Sequence, residues 1–151
     1  MISDNLRVLV RSRLEQADEA LDAAQILLAQ DSLRASVNRS YYAMFYAVLS
    51  LLALQRKETS KHAGAISLFD REFVLPGVFS KELSSALHYA FRQRLAADYA
   101  VSATVQADEV RRLCNEAQTF ISGFTNLSSI PCSDLGCWVY YEDTLPSGAD
   151  A

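Results

Sequence analysis

The sequence predicts an all-α protein, an up-and-down bundle of four to five helices. Helix-breaking residues are rare, with only 5 Gly and 3 Pro among 151 residues, while Ala, Leu, Gln, Arg and Glu are plentiful. Apolar residues also recur every three or four positions over long stretches, which is the period of a helix with one buried face. We place the bundle in residues 1–124 and a tail of different composition in residues 125–151.

The first two predicted helices are the longest. The first covers about residues 3–30, with Ser3 as its expected N-cap. Its apolar stripe runs through Leu6, Val10, Leu14, Ala17, Leu21, Ala24 and Leu28. The second covers about residues 33–54 and has Ser32 as its expected N-cap. This second helix is apolar on most sides, a pattern typical of a helix at the centre of a bundle.

Three further helices follow polar or turn-forming connections. The third is short and begins after a polar connection, with Thr59 or Ser60 as its cap. A Pro-Gly turn precedes the fourth, which covers about residues 80–101 and is capped by Ser80. The fifth covers about residues 105–124. The tail that follows contains prolines, glycines and an aromatic cluster, and we expect it to be loosely packed or partly disordered.

Composition excludes several classes of function. The formal net charge is -4 and the pI about 5.1, so a broad basic surface for duplex nucleic acid is not expected. The 3 cysteines have no metal-binding spacing with histidines, which predicts neither a metal site nor a cofactor. The apolar run at residues 41–54 is shorter than the roughly 20 residues that span a bilayer. The charged N-terminus is unlike a signal peptide. We therefore expect a cytoplasmic protein without membrane association.

The fourth predicted helix ends its buried stripe with two opposite charges. Leu83, Leu87 and Phe91 are followed on the same face by Arg94 and Asp98. These two residues stand four apart, so their side chains can meet. One interpretation is an ion pair that stabilises the helix end by roughly 0.3–0.5 kcal/mol. The other is a guanidinium that is held by a carboxylate and faces a cleft, where it can bind phosphate.

The second predicted helix carries another cluster of polar and aromatic residues. Arg39, Tyr42 and Tyr46 are spaced to share one face of an otherwise apolar helix. An arginine beside two tyrosines forms either a structural network, with the guanidinium stacked on the rings, or one wall of a ligand site. The structural use is the more common one. A Gly-rich phosphate loop, a zinc-binding helix and a nucleophile elbow are all missing from the chain.

Four segments of the chain together resemble the HEPN family of small helical domains. They are NRSYYAMFYAVLSLLAL, SKHAGAISLF, FVLPGVFS and RQRLAADY, and the resemblance covers about residues 3–124. It implies a homodimer with a cleft at the end of the fourth helix and a minimal nucleotidyltransferase as partner. In active members it implies metal-independent ribonuclease activity. Some members are toxins, which the nucleotidyltransferase silences by adding AMP to a tyrosine near the active site.

The resemblance also implies roles for individual residues. Active HEPN domains carry an arginine followed four to six residues later by a histidine. Arg94 matches that arginine, but Asp98 stands where the histidine is expected. Because a carboxylate at pH 7 can accept a proton but donates one poorly, Arg94 and Asp98 are the catalytic candidates of a variant site. Tyr99 lies near the position of the modified tyrosine.

A literal Arg…His motif lies in another part of the chain. Arg56 and His62 are separated by five residues in the connection between the second and third helices. We expect this pair to be solvated, although His62 can contribute if the connection folds toward the cleft. The candidates for binding nucleotide or RNA, or for modification, are therefore Arg39, Tyr42, His62 and Tyr99.

Three functions remain open at this stage. The chain is a binding module that recognises nucleotide or RNA phosphate, a ribonuclease toxin, or a non-catalytic helical adaptor in which Arg94 and Asp98 form an interface salt bridge. We favour the HEPN member of a toxin–antitoxin-type HEPN/nucleotidyltransferase pair, with phosphate bound at a dimer cleft.

Overall fold

The computed structural model describes residues 4–57, 59, 61–99 and 104–125. These residues form α1 (Asp4–Ala29), α2 (Leu33–Leu54), α3 (His62–Phe69), a π-helical segment (Asp70–Val74), α4 (Lys81–Tyr99) and α5 (Ala107–Thr125). They contain no strand, which confirms the all-α prediction. Beyond Thr125, the predicted tail lies outside the described residues.

α2 is the central helix of the bundle, as its apolar pattern predicts. It contacts each of the other four α-helices, and most of its side chains are buried, including Val48 and Leu51. α1 packs along it with the small residues Ala17, Ala20 and Ala24 buried. In the part of the chain that the structure describes, no helix is long and apolar enough to cross a bilayer.

Five phenylalanines form one large part of the core. Their neighbouring ring centroids lie 4.9–6.1 Å apart. The cluster consists of Phe69, Phe73, Phe79, Phe120 and Phe124. It joins α3 and the π-helical segment to α5, and so fixes the short third helix against the longer ones.

Of the predicted capping residues, Ser80 and Ser32 each precede their helix as expected, the cap of α3 is wrong, and Ser3 lies outside the described residues. The Ser80 hydroxyl accepts a 3.3 Å hydrogen bond from the backbone N–H three residues later, as a capping residue does. Ser32 stands at the N-cap of α2, but its side chain makes no capping hydrogen bond. α3 has Lys61 as its N-cap rather than Thr59 or Ser60. The reason is that the Thr59 hydroxyl accepts from the N–H of Lys61, at 3.3 Å, and so folds the turn before the helix.

The third helix continues as a π-helix, which its sequence does not predict. Over Asp70–Val74 the backbone widens, and the N–H of Leu75 donates to the carbonyl of Asp70 at 2.8 Å. The Asp70 carboxylate is held by α4. Its two oxygens contact the Ser84 hydroxyl and the His88 imidazole, each at 2.6 Å. His88 is therefore a paired structural residue.

Candidate functional site

The candidate site lies where α2, α4 and the start of α3 meet. α4 packs against α2, and its last turn is tied there by Arg34, which donates a 3.0 Å hydrogen bond from Nη1 to the Ala97 carbonyl. α3 also contacts α2 and begins at His62. This packing brings together Arg94 from α4, His62 from α3 and a group of aromatic side chains from α2.

Arg94 is at the centre of this site. Its guanidinium carbon lies 5.3 Å from the ring centroid of Tyr41 and 5.5 Å from that of Tyr42, and only 15% of the side chain is exposed. Nε lies 3.3 Å from Asp98 Oδ2, so the predicted ion pair forms. The contact is electrostatic rather than a directed hydrogen bond, because the buried Nε has no hydrogen-bond acceptor among the described residues. Arg94 thus keeps an unused donor, which is rare for a buried polar group.

His62 also lies beside Arg94, but it contacts Nη1 of the guanidinium, whereas Asp98 contacts Nε. Its Nδ1 is 3.5 Å from Arg94 Nη1 and 2.8 Å from the Tyr41 hydroxyl. Its ring stacks on Phe45 with centroids 4.3 Å apart and an interplanar angle of 5°. His62 is thus half-buried beside Arg94, in contrast to the solvated position expected for it.

The hydrogen bonds at Nδ1 determine the tautomer of the neutral imidazole. A guanidinium can only donate, so Nδ1 accepts from Arg94 and from the Tyr41 hydroxyl. The proton of the neutral ring is therefore on Nε2. Nε2 has no hydrogen-bond partner among the described residues, and it is not a buried unsatisfied atom. It is the ring nitrogen that the described contacts leave available.

Burial and charge shift the pKa values of this pair. Burial lowers the pKa of His62 below its ordinary value of 6.5, and the positive charge of Arg94 lowers it further. Burial raises the pKa of the Tyr41 hydroxyl well above its ordinary value, although Arg94 opposes this shift. Tyr41 therefore stays protonated and donates, while His62 is neutral at pH 7.

The low pKa of His62 predicts a loss of stability in acid. The folded protein binds this proton less readily than the unfolded chain, so the stabilisation is present above pH 6.5 and is lost as the pH falls through the lowered folded-state pKa. We expect the urea midpoint of His62→Asn to fall less between pH 7 and pH 5 than that of the unsubstituted protein. His88→Asn is the control with the other histidine, and it should not reproduce this flattening. If the urea midpoint fell equally between pH 7 and pH 5 for His62→Asn and for the unsubstituted protein, the prediction would be contradicted.

The predicted face of Arg39, Tyr42 and Tyr46 forms as expected. The guanidinium carbon of Arg39 lies 4.9 Å from the Tyr42 ring centroid, and the two tyrosine rings are 5.7 Å apart. Arg39 also donates to the side-chain oxygen of Asn38 at 2.7 and 3.1 Å. All three members of the face are half-buried. Because the Tyr42 ring lies near both arginines, this aromatic face is continuous with the Arg94 site.

Two other candidates lie further from this centre. Tyr99 is the last residue of α4 and is 76% exposed. Arg56 is an exposed residue in the turn after α2, with a φ of 55°. The arginine within 3.5 Å of His62 is Arg94, so the literal Arg56…His62 spacing does not describe the pair found in space.

A separate groove of about 530 Å³ runs between α4 and α5, and its lining includes neither Arg94 nor His62. Charged side chains there pair with each other, Arg112 with Glu116 at 3.1 Å and Arg111 with Asp108 at 2.9 Å. We therefore place the candidate site at Arg94 rather than in this groove. Within the described ranges, no group of three or more His, Cys, Asp or Glu side chains can hold a metal ion.

Comparison with known proteins decides the family. A profile of the HEPN domain matches residues 10–126. The chain belongs to the HEPN family. A UPF0332 protein of Thermotoga maritima is 36% identical to it over 112 residues, which cover 74% of this chain and 85% of the relative.

Two further relatives come from Methanocaldococcus jannaschii. "Putative toxin MJ0142" is 28% identical over 109 residues, or 72% of this chain and 74% of the relative. "Putative toxin MJ0605" is 29% identical over 121 residues, or 80% of this chain and 90% of the relative. The HEPN resemblance of the four sequence segments is thus confirmed. The matched HEPN domain includes every residue of the candidate site, from Arg39 to Tyr99.

Proposed function

We propose that this HEPN protein is the toxin of a HEPN/nucleotidyltransferase pair, that it binds RNA phosphate at Arg94, and that it cleaves RNA without a metal ion. One observation carries the proposal: the Arg94 guanidinium is held against two tyrosine rings, with Asp98 and His62 beside different nitrogens. The word toxin in the names of the two Methanocaldococcus jannaschii relatives supports it.

The chemistry of Arg94 suits a phosphodiester. A guanidinium is always charged and offers several donors to the oxygens of a phosphate. Its Nε is buried against Asp98, so the terminal nitrogens of the guanidinium are the donors left for a phosphate. The net charge of -4 limits the proposal to a local phosphate site rather than an extended basic surface.

Cleavage without a metal uses the ribose itself as nucleophile. The 2′ oxygen forms a bond to phosphorus while the bond from phosphorus to the 5′ oxygen breaks, which leaves a 2′,3′-cyclic phosphate and a 5′-hydroxyl end. Asp98 accepts the proton of the 2′-hydroxyl, and Arg94 stabilises the charge that develops on the phosphate oxygens. Asp98 suits this role because 37% of its side chain is exposed beside Arg94.

We propose the partner and the dimer from what the HEPN resemblance implies. We infer that two copies form a cleft at the C-terminal ends of their α4 helices, where Arg94 and Asp98 lie. Tyr99, with 76% exposure one residue further on, is the hydroxyl we assign as the acceptor of AMP from a nucleotidyltransferase. Modification there would place a charged nucleotide beside the RNA site and silence the toxin.

Single-stranded RNA is the substrate that suits the aromatic face. Tyr42 and Tyr46 are neighbouring, half-buried rings. Arg39 lies over Tyr42, and the Arg94 guanidinium is 5.5 Å from the same ring. Bases that are not paired can stack on such rings, with about 1–3 kcal/mol for each stacked base. The phosphate joining two stacked nucleotides would then lie close to Arg94.

The experiment is incubation of the purified protein with a single-stranded RNA in EDTA, with a duplex of the same sequence alongside. We expect the single strand to be bound and cut, and the duplex to be bound much more weakly. Binding without cleavage would support only the nucleotide-binding function and not the ribonuclease. A folded protein that neither binds nor cuts the RNA would overturn the proposal and favour the helical adaptor.

Removing the aromatic face tests the substrate class. We expect Tyr42→Ala to weaken the binding of single-stranded RNA about tenfold, since one stacked base is worth about 1–3 kcal/mol. Fluorescence anisotropy with a labelled oligonucleotide measures this. Tyr89→Ala is the matched control, because Tyr89 also lies under an arginine, with Arg112 5.4 Å from its ring centroid. It lines a second groove between α4 and α5, whose lining includes neither Arg94 nor His62. Equal losses in the two variants would contradict the assignment.

A further inference from the structure

Cleavage of RNA needs a proton for the leaving 5′ oxygen, and the Arg94–Asp98 pair does not supply it. A guanidinium does not give up its proton in a protein, and Asp98 is already assigned to accept one. Tyr41 is fully buried, and its hydroxyl faces His62 at 2.8 Å rather than a ligand. Among the described side chains in contact with Arg94, Tyr42 and His62 remain. An imidazolium is a far stronger acid than a phenol, which favours His62.

We propose that His62 donates the proton from Nε2 to the leaving 5′ oxygen, and that Tyr41 positions the imidazole for this step. The proposal rests on the proposed function, because it assigns a role in the same reaction. The His62 ring is held by stacking on Phe45 and by contacts from Tyr41 and Arg94 to Nδ1. Those contacts leave Nε2 as the nitrogen that can meet the substrate.

The proton balance of the step is complete with these residues. The P–O5′ electron pair leaves on the 5′ oxygen, which takes the Nε2 proton of the imidazolium. Asp98 holds the proton taken from the 2′-hydroxyl, and exchange with solvent returns both groups to their starting states. In the imidazolium Nδ1 also carries a proton, which it donates to the Tyr41 hydroxyl. Once the Nε2 proton has gone to the 5′ oxygen, exchange with solvent restores the neutral ring with its proton on Nε2 and with Nδ1 accepting from Tyr41 and Arg94. The bound phosphodiester is an anion beside Arg94, and its negative charge favours protonation of the His62 imidazole before cleavage.

This assignment places the acid on a different helix from the arginine. His62 begins α3 and Arg94 lies near the end of α4, so the pair depends on how the two helices pack on α2. The groups that face the imidazole are Arg94 from α4 and Tyr41, Tyr42 and Phe45 from α2. None of these is a carboxylate, so no described neighbour of the ring competes for its proton.

A substrate whose leaving group needs no proton tests the proposal. We would compare a normal RNA with the same RNA carrying a bridging 5′-sulfur at one bond, since a thiolate leaves without protonation. His62→Asn should cleave the normal bond about 100-fold more slowly or worse and the sulfur-bridged bond at close to the parent rate. His88→Asn changes the other histidine, which is paired with Asp70, and should cleave both like the parent.

Two further variants separate catalysis from structure. Tyr41→Phe removes the hydroxyl that positions the His62 ring. We expect it to slow cleavage of the normal bond less than His62→Asn does, and to slow cleavage of the sulfur-bridged bond less still. Arg94→Ala should remain slow on both, because its role is phosphate binding. An equal loss for His62→Asn on the two substrates, or no loss, would overturn the acid role. A parent protein that binds RNA through Arg94 but cuts neither substrate would also overturn it while leaving phosphate binding in place.

Discussion

Replacing Arg94 with alanine is expected to slow RNA cleavage by about 10²–10³-fold, the usual effect of removing one preorganised donor from a developing negative charge. Binding of the RNA should weaken about tenfold, because a charged hydrogen bond contributes about 1.5–3 kcal/mol. The two effects differ because the phosphate carries more charge in the transition state than in the bound substrate. Single-turnover cleavage and anisotropy measure them separately.

Arg94→Lys distinguishes charge from geometry. Lysine keeps the positive charge but loses the planar fork that contacts His62 and Asp98 through different nitrogens. We expect its cleavage rate to lie between those of the parent and Arg94→Ala. Arg92→Ala is the matched control, because Arg92 is an exposed arginine two residues earlier on the same helix. Equal losses for Arg92→Ala and Arg94→Ala would mean that only the overall charge matters, which contradicts the proposed site.

The largest effect on stability is expected from Phe69→Ala. Phe69 is fully buried, and its ring centroid lies within 6.1 Å of those of Phe73, Phe79 and Phe120. Truncating a buried phenylalanine costs about 3–5 kcal/mol of unfolding free energy, because apolar burial is lost and a cavity remains. Urea denaturation followed by circular dichroism measures this loss.

This stability prediction also bears on the site. Phe69 ends the helix that His62 begins, so the phenylalanine cluster is what anchors α3 near Arg94. Leu75→Ala is the control, since Leu75 is 82% exposed and its truncation should change the unfolding free energy by less than about 0.5 kcal/mol. A Phe69→Ala protein no less stable than Leu75→Ala would show that α3 is not anchored by this cluster.

The helices could be predicted from the sequence because their signal is local. The apolar stripe of α1 and the all-round apolar character of α2 report directly which side of each helix is buried. The caps were harder, because a serine before a helix marks a permitted N-cap without showing where its hydroxyl bonds. Ser80 makes the expected bond and Ser32 does not. The π-helical segment has no recognised pattern in the sequence.

Only the local part of the candidate site could be predicted. The Arg94–Asp98 and Arg39–Tyr42 contacts each join residues three or four apart on one helix, so helical geometry alone implies them. The contact between His62 and Arg94 joins residues 32 positions apart. It depends on where the connection after α2 leads, which no spacing along the chain reveals.

Tyr41 is a residue of the candidate site that sequence reasoning missed. Its position on the buried stripe of α2 identifies it as a core residue, and it is indeed fully buried. Its hydroxyl, however, determines the tautomer of His62 through the 2.8 Å hydrogen bond. A buried tyrosine needs a partner for its hydroxyl, so the available signal was that an aromatic on the core stripe was Tyr rather than Phe.

Arg94 is proposed to organise a site for RNA phosphate, and the chemical ends of the RNA fragments made in EDTA test this role. The purified protein is expected to produce 2′,3′-cyclic phosphate and 5′-hydroxyl ends from single-stranded RNA. Arg94→Ala should produce the same ends at least about 100-fold more slowly. RNA left intact by the folded parent protein, or cut equally fast by Arg94→Ala, would contradict the proposed role of Arg94.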